Sequence, residues 1–248
     1  MLVRRAAQFL IVYGAGLIFL LIIKYTLSLS NYVIPSPAMI GETAAAIFKN
    51  YVADTLDTQS VAIVGQIISV LLAFSVGIAA RNNTFTGSFI KAAAYHIQAY
   101  PIVAVAPIIF ILLGDGFLTR LIIASMICYF PLLLSIIGIM SEPVADVEHF
   151  YKATGRMTLG LEIRIRAFEN MHKLITVISG STTLAMAGTI VAEFIAADRG
   201  IGHSIRIALY QSDLSRILTA LFLIGLFISV YQGVIEWAGQ TIGNRWRV

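Results

Sequence analysis

Groups that could bind a metal ion or attack a substrate are scattered along this sequence rather than clustered. The histidines are His96, His149, His172 and His203. They fall on different segments, and no two have the spacing that places metal ligands on one helix face. No Gly-x-x-x-x-Gly-Lys-Ser/Thr phosphate-binding loop occurs. The sequence therefore predicts no catalytic site, no metal site and no cofactor on this chain, and any ATP that drives it must bind to another polypeptide.

A second group of polar residues lies inside the apolar run at 174–196. Its small members are Ser179, Gly180, Ser181, Thr182, Thr183 and Gly188. Small side chains let helices approach closely or let a pathway pass beside them, and ordinary helix packing is the alternative interpretation. Ser179 and Ser181 also suggest an intramembrane serine site, but such residues in a span more often serve helix packing. Glu193 is costly within a span, and it is expected to face the interior or a polar cavity, or instead to reach the outer interface beside Asp198 and Arg199.

Polar residues also precede a proline in the run at 89–113. They are His96, Gln98 and Tyr100, followed by Pro101. Proline removes a backbone donor, so this helix is expected to be kinked or broken. A broken helix with polar residues would line a substrate route, whereas a kinked helix would serve packing.

These residues must be positioned by membrane-spanning helices. Of the 248 residues, 58% are hydrophobic and 12% are charged, compared with about a quarter charged in soluble domains. The single cysteine, Cys128, excludes an intrachain disulfide. The net charge of +4 arises from basic residues at the ends of apolar runs, a topology signal that does not indicate a nucleic-acid partner.

Six runs are long enough to cross a bilayer. They cover residues 6–27, 61–80, 89–113, 118–140, 174–196 and 217–238. The first run is too long for a signal-peptide core and no small-residue cleavage site follows it, so we interpret it as a retained span. With both termini in the cytoplasm, 11 of the 17 Lys and Arg residues lie inside, as the positive-inside rule favours.

Two segments outside the spans are long. In the external loop at 28–56, Ser36 and Pro37 are predicted to begin an interfacial amphipathic helix over 39–51. The loop at 141–173 holds much of the charge in the chain and is predicted to form short cytoplasmic helices available for docking. We expect one membrane domain over residues 1–248.

The order of these features resembles the inner-membrane permease subunits of binding-protein-dependent ABC importers, in the branch for sulfonates, taurine, nitrate, bicarbonate and thiamine-precursor pyrimidines. The resemblance runs from the Pro-containing loop to the C-terminus. It rests on Ile34-Pro35-Ser36-Pro37, Pro101, Ala106-Pro107, Leu112-Leu113-Gly114, Phe130-Pro131, Val191-Ala192-Glu193 and Arg199-Gly200-Ile201-Gly202. The last two look like the Ala-Glu and Gly-Leu-Gly sequences that close the fifth span in that family.

The resemblance also implies an ATPase-coupling helix in the cytoplasmic loop. Aligning the family's Glu-Ala-Ala motif on Gly155 places His149, Phe150 and Tyr151 at the motif positions, and Phe168 where a proline is usual. The motif is therefore degraded, and a plain solvated connector is the alternative. The coupling residues that this alignment implies are His149, Phe150, Tyr151, Lys152 and Gly155.

A protein with this resemblance is expected to be an all-α permease of the type I ABC importer kind, embedded in the lipid of the bacterial inner membrane. It would pair with a second copy of itself, two ATP-binding subunits that carry ATP and Mg²⁺, and a soluble or lipid-anchored substrate-binding protein. In such a dimer, residues 179–188 and Glu193 would form the dimer seam and the pathway wall. It would carry a small polar solute whose identity the chain does not reveal. A secondary transporter and a membrane scaffold or receptor are the alternatives.

Overall fold

A computed structural model describes residues 2–82 and 84–245 of the chain. The domain predicted over 1–248 therefore includes Met1, Asn83 and residues 246–248, which lie outside the described residues. The described part contains ten helices: α1 Leu2–Thr26, α2 Pro37–Ala80, α3 Phe85–Gln98, α4 Ile102–Leu113, α5 Phe117–Ser141, α6 Ala145–Ala153, α7 Leu159–Glu169, α8 Met171–Ile195, α9 Ile201–Tyr210 and α10 Leu214–Arg245.

The helix lengths confirm an all-α membrane fold of about six spans. Helices α1, α2, α5, α8 and α10 are each long and apolar enough to cross a bilayer. The pair α3 and α4 forms a sixth candidate span that is bent by 84°. The bend falls at Pro101, where the predicted break is confirmed, because proline cannot donate the hydrogen bond that would continue α3.

Helix α2 differs from the expected arrangement of a separate interfacial helix followed by a span. Ser36 does cap it, since its hydroxyl accepts a hydrogen bond from the Met39 amide at 3.3 Å, and Pro37 is its first residue. The helix then continues for 44 residues, about 66 Å at 1.5 Å per residue. The helix predicted over 39–51 is therefore the first part of a longer helix, because no proline or glycine interrupts residues 51–61. The outer half of α2 thus extends beyond the hydrocarbon layer.

The packed centre consists of α2, α5 and α8. Close helix approach is made possible by glycine at two positions. A Cβ at Gly77 of α2 would lie 2.7 Å from Ile136 of α5, and one at Gly188 of α8 would lie 3.0 Å from the Cα of Ala124. Helix α1 packs on α10, where Phe9 contacts Phe222 at a centroid distance of 5.9 Å.

Two regions between the spans are helical. The segment at 141–173 contains α6 and α7, as predicted. The segment between α8 and α10 contains α9, which sequence reasoning missed.

Candidate functional site

The structure places the polar residues in three groups: an outer cluster at the start of α9, an inner cluster in the α6–α7 segment, and a line of side chains along α8 and α10.

The outer cluster is centred on Glu193 of α8, which is completely buried. Its carboxylate accepts hydrogen bonds from the Thr58 hydroxyl at 2.8 Å, the Gly202 amide at 3.0 Å and Arg120 Nη1 at 3.1 Å. Arg120 also pairs with Asp57 at 2.7 Å. The cluster therefore joins α2, α5, α8 and α9 through one buried carboxylate.

The position of Glu193 at the start of α9 has an electrostatic reason. The first amides of a helix lack intrahelical acceptors and carry partial positive charge, so a carboxylate there is stabilised. The Gly202 amide donates directly to Glu193, and the Ile201 amide donates to the Thr58 hydroxyl at 2.9 Å. Gly200 adopts φ +92°, and a Cβ there would overlap the Glu193 carboxyl group. The Glu193 and Gly200-Ile201-Gly202 pattern therefore holds the start of α9 against α8.

This geometry agrees with an interior position for Glu193 and not with a position at the outer interface. The side chain does not reach the outer interface beside Asp198 and Arg199, and it does not face a pathway in this conformation, because the chain's own helices cover it. Sequence reasoning missed Asp57, Thr58 and Arg120 as its partners. An arginine three residues inside an apolar run was the available signal, since ionisable groups within spans are rarely unpaired.

The inner cluster is built on Glu148 of α6 and Arg166 of α7, both buried. Arg166 donates from Nε to Glu148 at 2.7 Å and from Nη2 at 3.1 Å, and its Nη1 donates to the Met140 carbonyl at 2.7 Å. Arg166 also pairs with Glu162 at 3.0 Å, and Glu162 pairs with Arg81 at 3.2 Å. The cluster ties both short helices to the inner ends of α5 and α2.

The electrostatic effect of this contact is large. The hydrogen bonds from Arg166 hold the pKa of Glu148 at about 2, well below its ordinary value, against the opposing effect of burial. Glu148 in turn raises the pKa of Arg166. Both groups are therefore charged at neutral pH. Sequence reasoning missed this pair because its members are 18 residues apart in a segment rich in other charges.

The predicted coupling residues lie on the surface of the segment, whereas Glu148 and Arg166 are buried beneath them. His149, Phe150 and Lys152 are exposed, and Tyr151 is half-buried with its ring edge-on to Phe150 at 5.5 Å. Gly155 follows α6 with φ +66°, and the Arg156 amide donates to the Tyr151 carbonyl at 2.9 Å. Gly155 thus ends the helix in a left-handed conformation that favours glycine.

The residues predicted for the seam and pathway wall separate into two sets. Ser181 and Thr182 are buried and accept hydrogen bonds from Gln66 of α2 at 2.9 and 3.2 Å, and Gly188 packs on α5. Ser179 is buried as well, so all four are covered by helices of the same chain in this conformation, and a place for them at a dimer seam stays a prediction. Gly180 and Thr183 are exposed along α8.

The residues before the bend are also exposed. His96, Gln98, Tyr100 and Pro101 lie at the end of α3 and the beginning of α4, without cover from the described part of the chain. Their role beside a substrate route stays a prediction.

The fold and the inner cluster together define a multi-pass α-helical membrane protein with one large structured segment between its fourth and fifth candidate spans. Its sequence matches the family model described as binding-protein-dependent transport system inner membrane component over residues 67–247. The chain belongs to that family. Its five or six candidate spans agree with the description of that family as an inner-membrane component.

Two relatives are similar to parts of the chain. The riboflavin transport system permease protein RibX of Chloroflexus aurantiacus is 33% identical over 147 residues, a match that covers 56% of this chain and 53% of RibX. The formylaminopyrimidine transport permease protein ThiX of Halalkalibacterium halodurans is 22% identical over 205 residues, which cover 79% of this chain and 78% of ThiX. The match thus spans about half the length of RibX and about three quarters of ThiX.

Proposed function

We propose that this chain is the transmembrane subunit of an ABC importer, and that it couples a solute pathway to separate ATPase subunits through the α6–α7 segment. Family membership supports the transport role. The observation that carries the coupling role is the buried pair of Glu148 and Arg166, which fixes two exposed short helices to the inner ends of two spans.

The surface of α6 suits a docked partner. Phe150 is 61% exposed and Val147 is 41% exposed on a helix that also presents His149 and Lys152. Exposed aromatic residues commonly anchor helices in partner grooves. Because α6 cannot turn without disrupting the buried ion pair, movement of a docked ATPase would be transmitted to α5 and α2. In this scheme ATP and Mg²⁺ bind only to the ATPase, two copies of which would serve a permease dimer.

The permease dimer itself is supported by α8. Thr176, Gly180, Thr183 and Ala187 lie one turn apart and are exposed, so the helix offers a face of small side chains to a second copy. Alternating access between two such subunits would then result from ATP-driven closure of the ATPase subunits on the cytoplasmic side and from delivery of the solute by a substrate-binding protein on the outer side.

The solute class is suggested by the relatives. RibX and ThiX are named for riboflavin and for a formylaminopyrimidine, both of which contain nitrogen heterocycles. We propose a small polar heterocyclic solute for this chain as well.

The coupling role is tested by purifying the chain from its native membrane in mild detergent and identifying the proteins that accompany it. A nucleotide-binding subunit should co-purify with the unaltered chain. Phe150→Asp should reduce its recovery and abolish substrate-stimulated ATP hydrolysis, because a carboxylate cannot be desolvated in an apolar groove. Phe85→Asp is the matched control, since Phe85 is 90% exposed outside the segment. Unchanged hydrolysis in Phe150→Asp, or equal loss in both variants, would contradict the docking site.

A further inference from the structure

Lys24, near the end of α1, is the only residue from Val3 to Thr26 that is buried. A lysine at the end of a span usually extends its ammonium group into the headgroup region and stays exposed, as Lys49 of α2 does. Lys24 is only 6% exposed. Its Nζ donates to the Asn31 carboxamide oxygen at 2.5 Å, and none of the ion pairs between described residues includes it. The ammonium group is thus shielded from water without a carboxylate beside it, which is costly.

The segment that follows α1 folds back over Lys24. The Leu29 amide donates to the Lys24 carbonyl oxygen at 2.9 Å, and Ser28 adopts φ +52° in this turn. Asn31, the partner of the ammonium group, is itself exposed. A ligand that binds to Asn31 from the membrane side therefore also meets the charged end of Lys24.

An apolar cavity of about 110 Å³ lies next to this segment, between α1, the start of α2 and α10. Its walls are apolar throughout and include Leu17 and Leu21 of α1, Ile40 of α2 and Leu218 of α10. Leu17, Leu21 and Lys24 are spaced by four and three residues, so they share one face of α1. The cavity and the buried cation thus form one crevice, which we call the α1 crevice.

The depth of the α1 crevice follows from the length of α1. Lys24 lies 19 residues beyond Arg5 on the same helix, or about 29 Å at 1.5 Å per residue. This distance is close to the thickness of the hydrocarbon layer, about 30 Å. With the amino terminus in the cytoplasm, as the positive-inside rule favours, Lys24 lies at the level of the outer headgroups and the cavity lies at the level of the outer acyl chains.

We propose that the α1 crevice binds one anionic phospholipid of the outer leaflet. An acyl chain in the cavity supplies contacts that the apolar walls otherwise lack. The headgroup phosphate accepts hydrogen bonds from Lys24, whose ammonium group has three donors and gives one of them to Asn31. The phosphate also supplies the negative charge that the described side chains around Lys24 do not. This lipid site goes beyond the transport role and fastens the outer end of α1 to the bundle.

Native mass spectrometry of the purified chain tests the headgroup contact. The chain is released from mixed micelles that contain equal amounts of phosphatidylglycerol and phosphatidylcholine with the same acyl chains. The unaltered chain should retain phosphatidylglycerol in preference to phosphatidylcholine by about five-fold, as expected for one basic residue beside an anionic lipid. Lys24→Gln should abolish this preference, and Lys24→Arg should keep it because the charge remains. Lys49→Gln removes an exposed lysine and is the control that should leave the preference unchanged.

A second substitution tests the acyl-chain contact. Leu21→Trp fills the cavity with an indole ring and should lower the amount of phosphatidylglycerol retained. Leu10→Trp, at a position of the same helix that is 49% exposed, is its control and should not. Leu21→Trp keeps the lysine in place, so the proposal stays testable if Lys24→Gln does not fold.

Equal preferences in the unaltered chain and in Lys24→Gln, or no preference in the unaltered chain, would overturn the headgroup contact. Unchanged retention in Leu21→Trp would overturn the acyl chain in the cavity. Displacement of phosphatidylglycerol by excess inorganic phosphate would show an anion site without a lipid chain, and would overturn the lipid site. The assay needs neither an ATPase nor a solute, so its failure is distinguishable from failure of the co-purification experiment.

Discussion

Replacing Arg166 with methionine removes the central cation of the α6–α7 segment while keeping a long side chain. The variant leaves the buried Glu148 carboxylate without its main partner, and removing one member of a buried pair is costly. The expected size is set by the pKa of Glu148, which falls from 4.5 to about 2 in the folded chain. At about 1.4 kcal/mol for each pKa unit, Arg166→Met should destabilise the folded segment by about 3 kcal/mol.

Such a loss should increase local opening of α6 and α7 roughly a hundredfold, because about 1.4 kcal/mol corresponds to a factor of ten. Hydrogen exchange of the amides in residues 145–169, measured in nanodiscs, reports that opening directly. Lys152→Met is the matched control. Lys152 contacts the same carboxylate at 3.4 Å but is 60% exposed, so its loss should change protection little.

The pH dependence has a defined sign. A lowered pKa in the folded state means that the pair stabilises the segment fully above about pH 4.5 and that this stabilisation is lost as the pH falls towards about 2. Protection of the unaltered segment should fall over that range, whereas that of Arg166→Met should vary much less. Unchanged protection in Arg166→Met at neutral pH, or equal effects of Arg166→Met and Lys152→Met, would refute the reasoning.

The remaining predictions concern the outer cluster. Gly200→Ala should lower the melting temperature of the purified chain markedly, because the new Cβ would overlap the Glu193 carboxyl group at a backbone φ of +92°. Gly16→Ala is the control and should leave the melting temperature unchanged, since nothing lies within 4 Å of a Cβ there. Equal melting temperatures of the two variants would contradict the contact. Thr58→Val should cost about 2 kcal/mol, because Glu193 loses a donor and the first amide of α9 loses its acceptor. Ser60→Ala, at an exposed hydroxyl on the same helix, is its control, and a chemical denaturation midpoint that shifts equally in both variants would argue against the network.

Several local features were predictable because they depend on neighbouring residues. Pro37 after Ser36 indicates a helix start, and Pro101 indicates a break, since each acts through its own missing amide and fixed φ. The length of the apolar runs predicts the spans because the bilayer imposes a minimum length. The charged segment between the fourth and fifth runs is recognisable by composition alone.

Other features were not predictable because they depend on residues far apart in the chain. Glu193 has the same local sequence whether it faces a pathway, lipid headgroups or the start of α9, and only the position of Thr58, 135 residues away, decides among these. Glu148 looks like any other acidic residue of its segment until α7 folds back and brings Arg166 to it.

The sequence alone thus determined that the chain crosses a membrane, that a helix begins at Pro37, that another breaks at Pro101, and that the sequence contains no phosphate-binding loop. Composition and local backbone chemistry suffice for these properties. The tertiary structure decided which polar groups are buried beside hydrogen-bonding partners and which stay exposed on the surface. That choice depends on which helices meet, because a buried charge is stable only beside partners that distant parts of the chain supply.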